Sequence, residues 1–165
     1  MEIMIRAMEY SDWGAVAEIF REGIDMKTST FHSEVPSYEV WDASHRPDCR
    51  LVAVFEDKVI GWTALMPYSS RKVYSGVAEV SIYIKSEFRG RKVGEQLLRA
   101  LVEEAERCGY WTLQSGIFEI NRASIVLHEK VGFRMVGYRE RIGRDGNGIW
   151  QNTVLMERRS TRTGL

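Results

Sequence analysis

The stretch Val77-Ala-Glu-Val-Ser-Ile-Tyr-Ile-Lys-Ser-Glu-Phe-Arg-Gly-Arg-Lys-Val-Gly-Glu-Gln-Leu-Leu98 changes period halfway along. Val77 to Ile84 is rich in β-branched residues and reads as a strand. A polar run from Lys85 to Lys92 follows. Val93, Leu97, Leu98, Leu101, Val102 and Ala105 then recur on one helical face until Gly109 ends it. A strand that passes through a basic, glycine-containing turn into an amphipathic helix leaves backbone N–H groups unpaired at the helix start. Phosphate oxygens bind there. Arg89, Arg91 and Lys92 add charge, and Gly90 and Gly94 permit close backbone approach. Taken alone, the loop from Arg89 to Gly94 fits a solvated basic turn equally well.

On the N-terminal side, Ile3 and Ile5 alternate with polar neighbours as a short strand, and Ser11-Asp12 supplies an N-cap signal. The helix it opens carries Trp13, Val16, Ile19, Phe20 and Ile24 to about Lys27. A loop spans Thr28 to Pro36, and Ser37 caps a short helix holding Val40 and Trp41. Residues 51–55 and 59–66 form a hairpin around Glu56-Asp57-Lys58. On the C-terminal side come a strand over 111–118, a helix from Asn121 to Lys130 and two strands over 133–142 and 149–156. The last two are joined by the turn signal Arg-Asp-Gly-Asn-Gly. The order β-α-α-β-β-β-α-β-α-β-β predicts a mixed α/β sheet with helices on its faces. One domain is expected over 1–158, with a frayed polar tail over 159–165.

The 165 residues carry 23 Lys plus Arg against 23 Asp plus Glu, so nothing predicts a long-range grip on nucleic acid or anionic membrane. Any anion must be held locally. Cys49 and Cys108 show no metal-ligand spacing, and His32 and His45 gain no role. A reducing compartment is the simpler reading of two isolated cysteines. The start, Met-Glu-Ile-Met-Ile-Arg, lacks the apolar core of a signal peptide, so the cytoplasm is expected.

The sequence Glu79-Val-Ser-Ile-Tyr-Ile-Lys with Arg89-Gly-Arg-Lys-Val-Gly-Glu-Gln-Leu-Leu resembles the acetyl-CoA motif of the GNAT superfamily, Arg/Gln-x-x-Gly-x-Gly/Ala. Asn121-Arg-Ala-Ser-Ile-Val-Leu-His-Glu-Lys-Val-Gly-Phe resembles the family's next helix and its ending. Three further stretches resemble the phosphinothricin and methionine sulfoximine acetyltransferase group. They are Thr28-Ser-Thr-Phe-His-Ser-Glu, Pro67-Tyr-Ser-Ser-Arg-Lys-Val-Tyr and Gly148-Ile-Trp-Gln-Asn. The resemblance implies the GNAT fold, a mostly antiparallel sheet of about seven strands flanked by about four helices. It also implies acetyl-CoA as cosubstrate with no metal, a small amine acceptor, a detoxifying role and a homodimer. One position departs from the pattern: Lys92 stands where a glycine is usual, and a right-handed helical backbone there would tolerate it.

What the resemblance implies can be set beside the chemistry residue by residue. An α-amine is mostly protonated at neutral pH, so a base is needed before attack on a thioester. Glu79 is the candidate, in a strand whose middle buries a carboxylate only at a cost; an ion-paired surface Glu is the plainer alternative. His128 stands near the departing thiol, as donor to the thiolate or as a second base; a structural histidine is the alternative. Ile82, Tyr83 and Ile84 would bind the pantetheine arm through backbone, one N–H meeting the oxyanion. Arg89, Gly90, Arg91, Lys92, Val93, Gly94 and Glu95 would hold the pyrophosphate, and Asn121 the pantetheine chain or simply the helix cap. Phe31, Ser69, Ser70, Arg71, Tyr74, Val80 and Ser81 would surround the acceptor, with Arg71 clamping a carboxylate and Phe31 and Tyr74 walling its side chain or filling core. Trp150 reads as core. Two other classes share the loop: a silent acyl-CoA-binding module that needs no Glu79, and an acetyltransferase for protein or peptide amines with an open groove.

Overall fold

The computed structural model describes residues 1–165. Seven strands form a single sheet in the order β1-β2-β3-β4-β5-β7-β6. They are β1 Met4–Ala7, β2 Leu51–Phe55, β3 Lys58–Pro67, β4 Val77–Ile84, β5 Thr112–Phe118, β6 Arg134–Arg144 and β7 Trp150–Arg159. Every neighbouring pair is antiparallel except β4 and β5. Four helices complete the expected order: α1 Trp13–Met26, α2 Tyr38–Ser44, α3 Val93–Arg107 and α4 Arg122–Lys130. The strand-helix-strand run β4-α3-β5 returns the one parallel strand, its crossover made by α3. No helix is long and apolar enough to cross a membrane.

The middle of the sheet is covered on both faces, and β4 shows how the alternation divides them. Ala78 and Val80 pack with Leu98, Leu101, Ile125 and Met156 under α3 and α4. Glu79, Ser81 and Tyr83 lie on the opposite face, where Tyr83 joins Trp62, Phe20 and Trp41 beneath α1 and α2. Burying Val93, Leu97, Leu98, Leu101 and Val102 of α3 stabilises by roughly 1.5–3 kcal/mol each before the entropy of ordering them. That packing, and not capping, fixes where α3 starts: its N-terminus has no side-chain cap.

Two local expectations are overturned. Asp12 does not cap α1. A single 3₁₀ turn over Tyr10–Asp12 precedes the helix, and the Asp12 carboxylate turns back to accept from both Arg6 guanidinium nitrogens, at 2.8 and 2.9 Å, and from Glu9 N–H. A bidentate arginine outcompetes a single backbone donor. The tail is not frayed either. Ser160 is buried and donates to Glu106 at 3.0 Å, and Arg159 donates to the carbonyls of Ser160, Thr163 and Gly164. A polar segment stays ordered when its polarity is satisfied by the fold. Ser37 does cap α2, accepting from Val40 N–H at 3.3 Å.

Candidate active site

β4 pairs with β5 only over Val77–Glu79 and Thr112–Gln114. β4 then continues for five more residues to Ile84 with β3 on its other edge. Lys85 N–H donates to Ile60 O, and Ser81 O accepts from Thr63 Oγ1 at 2.8 Å, so the odd-numbered backbone groups of β4 face β3. Strand alternation then turns the N–H groups of Ile82 and Ile84 to the edge β5 has left. The strands part there into a cleft edged by backbone donors, which suits an extended amide-bearing chain.

The cleft leads to the 89–94 loop. The first backbone bond at the head of α3 runs from Gln96 N–H to Lys92 O at 3.2 Å, leaving the Val93, Gly94 and Glu95 N–H groups without intrahelical acceptors. Gly90 has φ +74°, and a Cβ there would meet nothing within 4 Å, so the backbone lies open to a ligand. A Cβ on Gly94 would come 3.2 Å from Leu127 Cδ2, so this glycine serves the approach of α3 to α4 more than an approach to phosphate.

Lys92 overturns its expectation. It adopts φ 64° and ψ 14°, left-handed and not right-handed helical. Such a backbone costs an L residue about 1–2 kcal/mol, which the buried face of α3 outweighs several-fold. Lys92 and Arg91 keep exposed side chains, Arg91 resting over the Phe88 ring at 5.5 Å. Arg89 is tied down, with Nε donating to Ile84 O at 3.2 Å and Nη1 to Met26 Sδ. Glu95 spends its carboxylate on Arg99 at 3.0 Å, and the Val93 side chain is buried, so both can offer only N–H groups. Tyr83 is stacked between Phe20 and Trp62, and its backbone groups face β3, so it offers the cleft neither side chain nor backbone, contrary to expectation.

Glu79 lies half-buried across from Met66 and beside Gln114. Burial raises its carboxyl above the usual range; a hydrogen bond with Gln114 and the charge of Arg139 pull the other way. Ladder parity puts Gln114, Gly116, Phe118, Thr153, Leu155 and Arg139 on the Glu79 face. A bulge shifts β6 between Arg139 and Gly143, and Asn152 Oδ1 pins it by accepting from Arg141 N–H at 2.7 Å. At the end of that bulge Phe31 covers Gly143, where an added Cβ would lie 3.0 Å from Phe31 Cε1. Phe31 also tilts onto Phe118 at 4.5 Å. Phe31 and Tyr74 are both exposed, so neither is core. Tyr74 lies apart from Phe31, edge-on to Tyr68 at 5.5 Å with the Arg71 guanidinium over its ring at 5.5 Å. Arg71 has no carboxylate partner within the chain, and its N–H donates to Ser69 Oγ at 3.1 Å. Ser70 is exposed beside it. Val80 points into the α3 side, so its side chain cannot line this face. Trp150 is half-exposed under Arg144 and is not core.

His128 is fully buried on α4 and packs edge-on to Phe133 at 4.9 Å, in the core cluster under α3 and α4 and not on the Glu79 face. Its Nδ1 is 2.7 Å from Ser124 O, which makes Nδ1 the protonated nitrogen and leaves Nε2 an acceptor with no partner. Burial lowers its pKa, against the Ser124 hydrogen bond that raises it. A neutral imidazole in this tautomer cannot donate from Nε2. Asn121 is the α4 cap, Oδ1 accepting from Ser124 N–H at 3.3 Å, with its amide NH₂ left for another acceptor.

A parted β4–β5 pair thus runs into an open, uncapped helix start, with a strand carboxylate at the head of the cleft. Residues 16–133 match the Acetyltransferase (GNAT) family. The chain belongs to that family. It is an acetyl-CoA-dependent N-acetyltransferase. A methionine sulfoximine/methionine sulfone acetyltransferase of Pseudomonas paraeruginosa is 25% identical over 95% of this chain and 94% of its own. A phosphinothricin N-acetyltransferase of Alcaligenes faecalis is 28% identical over 93% and 81%. The crystal structure of a GNAT phosphinothricin acetyltransferase from Sinorhizobium meliloti with AcCoA superposes at a TM-score of 0.90, 27% identical over 99% and 91%.

Gln114 and Arg139 beside Glu79, and Phe118 on the same face, were not legible from the sequence. Each comes from a strand whose pairing is non-local, and no spacing rule reaches across it.

Proposed function

We propose that this acetyltransferase acylates the α-amino group of a small amino-acid-like substrate of the phosphinothricin or methionine sulfoximine and sulfone type, by direct transfer within a ternary complex. The observation that carries this reading is the Glu79 carboxyl, half-buried, raised by that burial and set where β4 and β5 part. A raised carboxylate is a stronger base, and it stands where an amine would meet a thioester lying in the cleft. Glu79 takes a proton from the substrate ammonium, and the free amine attacks the thioester carbonyl. The oxyanion accepts a hydrogen bond from a β4 N–H, that of Ile82 or Ile84. Collapse expels the CoA thiolate, which takes one of the two protons left on the attacking nitrogen, so the amide keeps the other; Glu79 then returns its own to solvent.

His128 is not the thiolate's donor in this account, because its Nε2 carries no proton. Its role is to hold α4 against the sheet and to offer Nε2 as an acceptor. Arg71 and Arg139, which form no ion pair within the chain, are the two candidates for the substrate carboxylate. The loop 89–94 and the Asn121 amide serve the CoA pyrophosphate and pantetheine. Edge strand β6 exposes Met135, Val136 and Tyr138, and Ile142, Ile149 and Trp150 follow, an apolar border that supports a homodimer. Two unpaired thiols support a cytoplasmic setting.

The test is CoA release, read with a thiol reagent, across amino acids, their sulfoximine, sulfone and phosphinic analogues, and short peptides. Release with the analogues alone is expected. Release with peptides alone would move the acceptor to protein amines, and CoA binding without any release would make the chain a sensor. Light scattering across micromolar concentrations checks the dimer, which a constant monomer mass would exclude.

A further inference from the structure

Two thiols far apart in the chain meet on the side of the fold away from the cleft. Cys49 precedes β2, and Cys108 follows α3. One donor atom from each, with a carboxylate oxygen of Asp48, all lie within 4.8 Å of one another. Cys49 is buried and Cys108 exposed, and both are free. The Asp48 carboxylate is held in place: it accepts from Tyr110 Oη at 2.8 Å, and that oxygen accepts from Arg46 Nε at 2.8 Å. Glu104 Oε1 stands 3.9 Å from Cys108 Sγ. Cys49 is held at φ 58°, a left-handed backbone that a side chain rarely adopts without a surrounding constraint.

Core packing accounts for Cys49 alone. It explains neither the exposed second thiol nor a carboxylate oriented toward both by a tyrosine and an arginine.

We propose that Asp48, Cys49 and Cys108 form a binding site for a thiophilic divalent cation of the Zn²⁺ class, separate from the acetyl-transfer site, with Glu104 or water as fourth ligand. Tetrahedral coordination at Zn–S of about 2.3 Å and Zn–O of about 2.0 Å sets donor atoms about 3.5–3.8 Å apart. From within 4.8 Å of one another the three donors therefore close by about 1.3 Å at most, to which rotation of the exposed Cys108 side chain contributes. The entering cation displaces the protons of both thiols to solvent and is held by two thiolates and a carboxylate, so affinity climbs with pH. Thiolate ligands select against Mg²⁺ and Ca²⁺. The bound ion would tie the start of β2 to the end of α3, the helix whose other end carries the 89–94 loop.

The test uses the full chain, stripped of metal and kept reduced with a phosphine, titrated with Cd²⁺ while the thiolate-to-Cd²⁺ charge-transfer absorption is followed. One equivalent per chain is expected to saturate the band, with Zn²⁺ competing and Mg²⁺ not. Cys108→Ser, a change at an exposed position that leaves the core intact, is expected to abolish the two-thiolate band. Asp48→Asn is expected to weaken binding at least about tenfold. No band on the reduced protein, an undiminished band in Cys108→Ser, or competition by Mg²⁺ would overturn the site. If the reduced protein takes up no Cd²⁺ but a small-molecule disulfide links Cys49 to Cys108, the pair is a redox couple and the cation site is wrong.

Discussion

The proposed cosubstrate side of this acetyltransferase presents backbone; the proposed acceptor side presents side chains. The head of α3 offers N–H groups whose positions are set by the buried aliphatic face of the helix and by the contact of Gly94 with Leu127. The acceptor side gathers Glu79, Gln114 and Arg139 from three strands, with Phe31 laid over a bulge that Asn152 pins. The first arrangement recognises a group common to every turnover and tolerates side-chain change wherever the backbone survives. In the proposed reaction the second sets chemistry and acceptor choice, so one atom changed there is expected to have a large effect. The contrast explains why Lys92, in a conformation unsuited to it, persists: its neighbours' N–H groups are unaffected by the identity of its side chain.

The sharpest way to test the contrast is Glu79→Gln. Loss of the base should lower kcat/KM by about 10²–10⁴ while the KM for acetyl-CoA stays put, in steady-state assays with the best acceptor. The same variant should gain stability at neutral pH. The Glu79 carboxyl is raised in the fold, so its stabilising contribution is complete below the unfolded carboxyl's pKa and is lost as pH rises through the folded value. A variant equally active would end the base assignment, and one less stable would end the reading of burial.

Gly94→Val should act on the other half. The added carbons meet Leu127, and overpacking there should cost about 1–3 kcal/mol in urea unfolding. CoA affinity should fall with it, because the helix head moves. An unchanged midpoint with unchanged CoA binding by calorimetry would mean α3 is less fixed than its packing indicates.

Arg139→Ala should return a smaller effect on the acceptor side. Arg139 favours the ionised form of Glu79, so its removal raises that carboxyl further. The acidic limb of the kcat/KM profile should move to higher pH, with about a two- to fivefold loss at a given pH on that limb. A downward move would show that Arg139 does not face Glu79.

Lys92→Gly should be the mildest. Relief of the left-handed backbone, offset by a more flexible unfolded chain, leaves a gain of about 1 kcal/mol or less. If the ammonium serves the phosphates, the KM for acetyl-CoA should rise at low salt and converge with the parent at high salt. An unaltered KM at low salt would remove the charge role.

The element order was fully legible because each element carries its own period or punctuation: Gly109 after α3, Gly132 after α4, Ser37 before α2. The misread details share one cause, a long-range partner that outcompeted a local rule. Asp12 had a better donor in Arg6, the tail had Glu106 and Trp111, and Lys92 was forced by the docking of α3. Trp150 was misplaced because period alone cannot tell an inward from an outward residue beside an edge strand.

The sequence by itself determined the cosubstrate half, since a helix start and its preceding loop are contiguous and their hydrogen-bond deficit follows from chain order. It also named Glu79, whose neighbours along β4 reveal which side of the strand it shares. Only the tertiary structure decided what surrounds that carboxyl, which tautomer His128 holds and that Cys49 meets Cys108. Each depends on which strand lies beside which, and strand pairing is fixed by burial summed over the whole sheet, a quantity no local window contains.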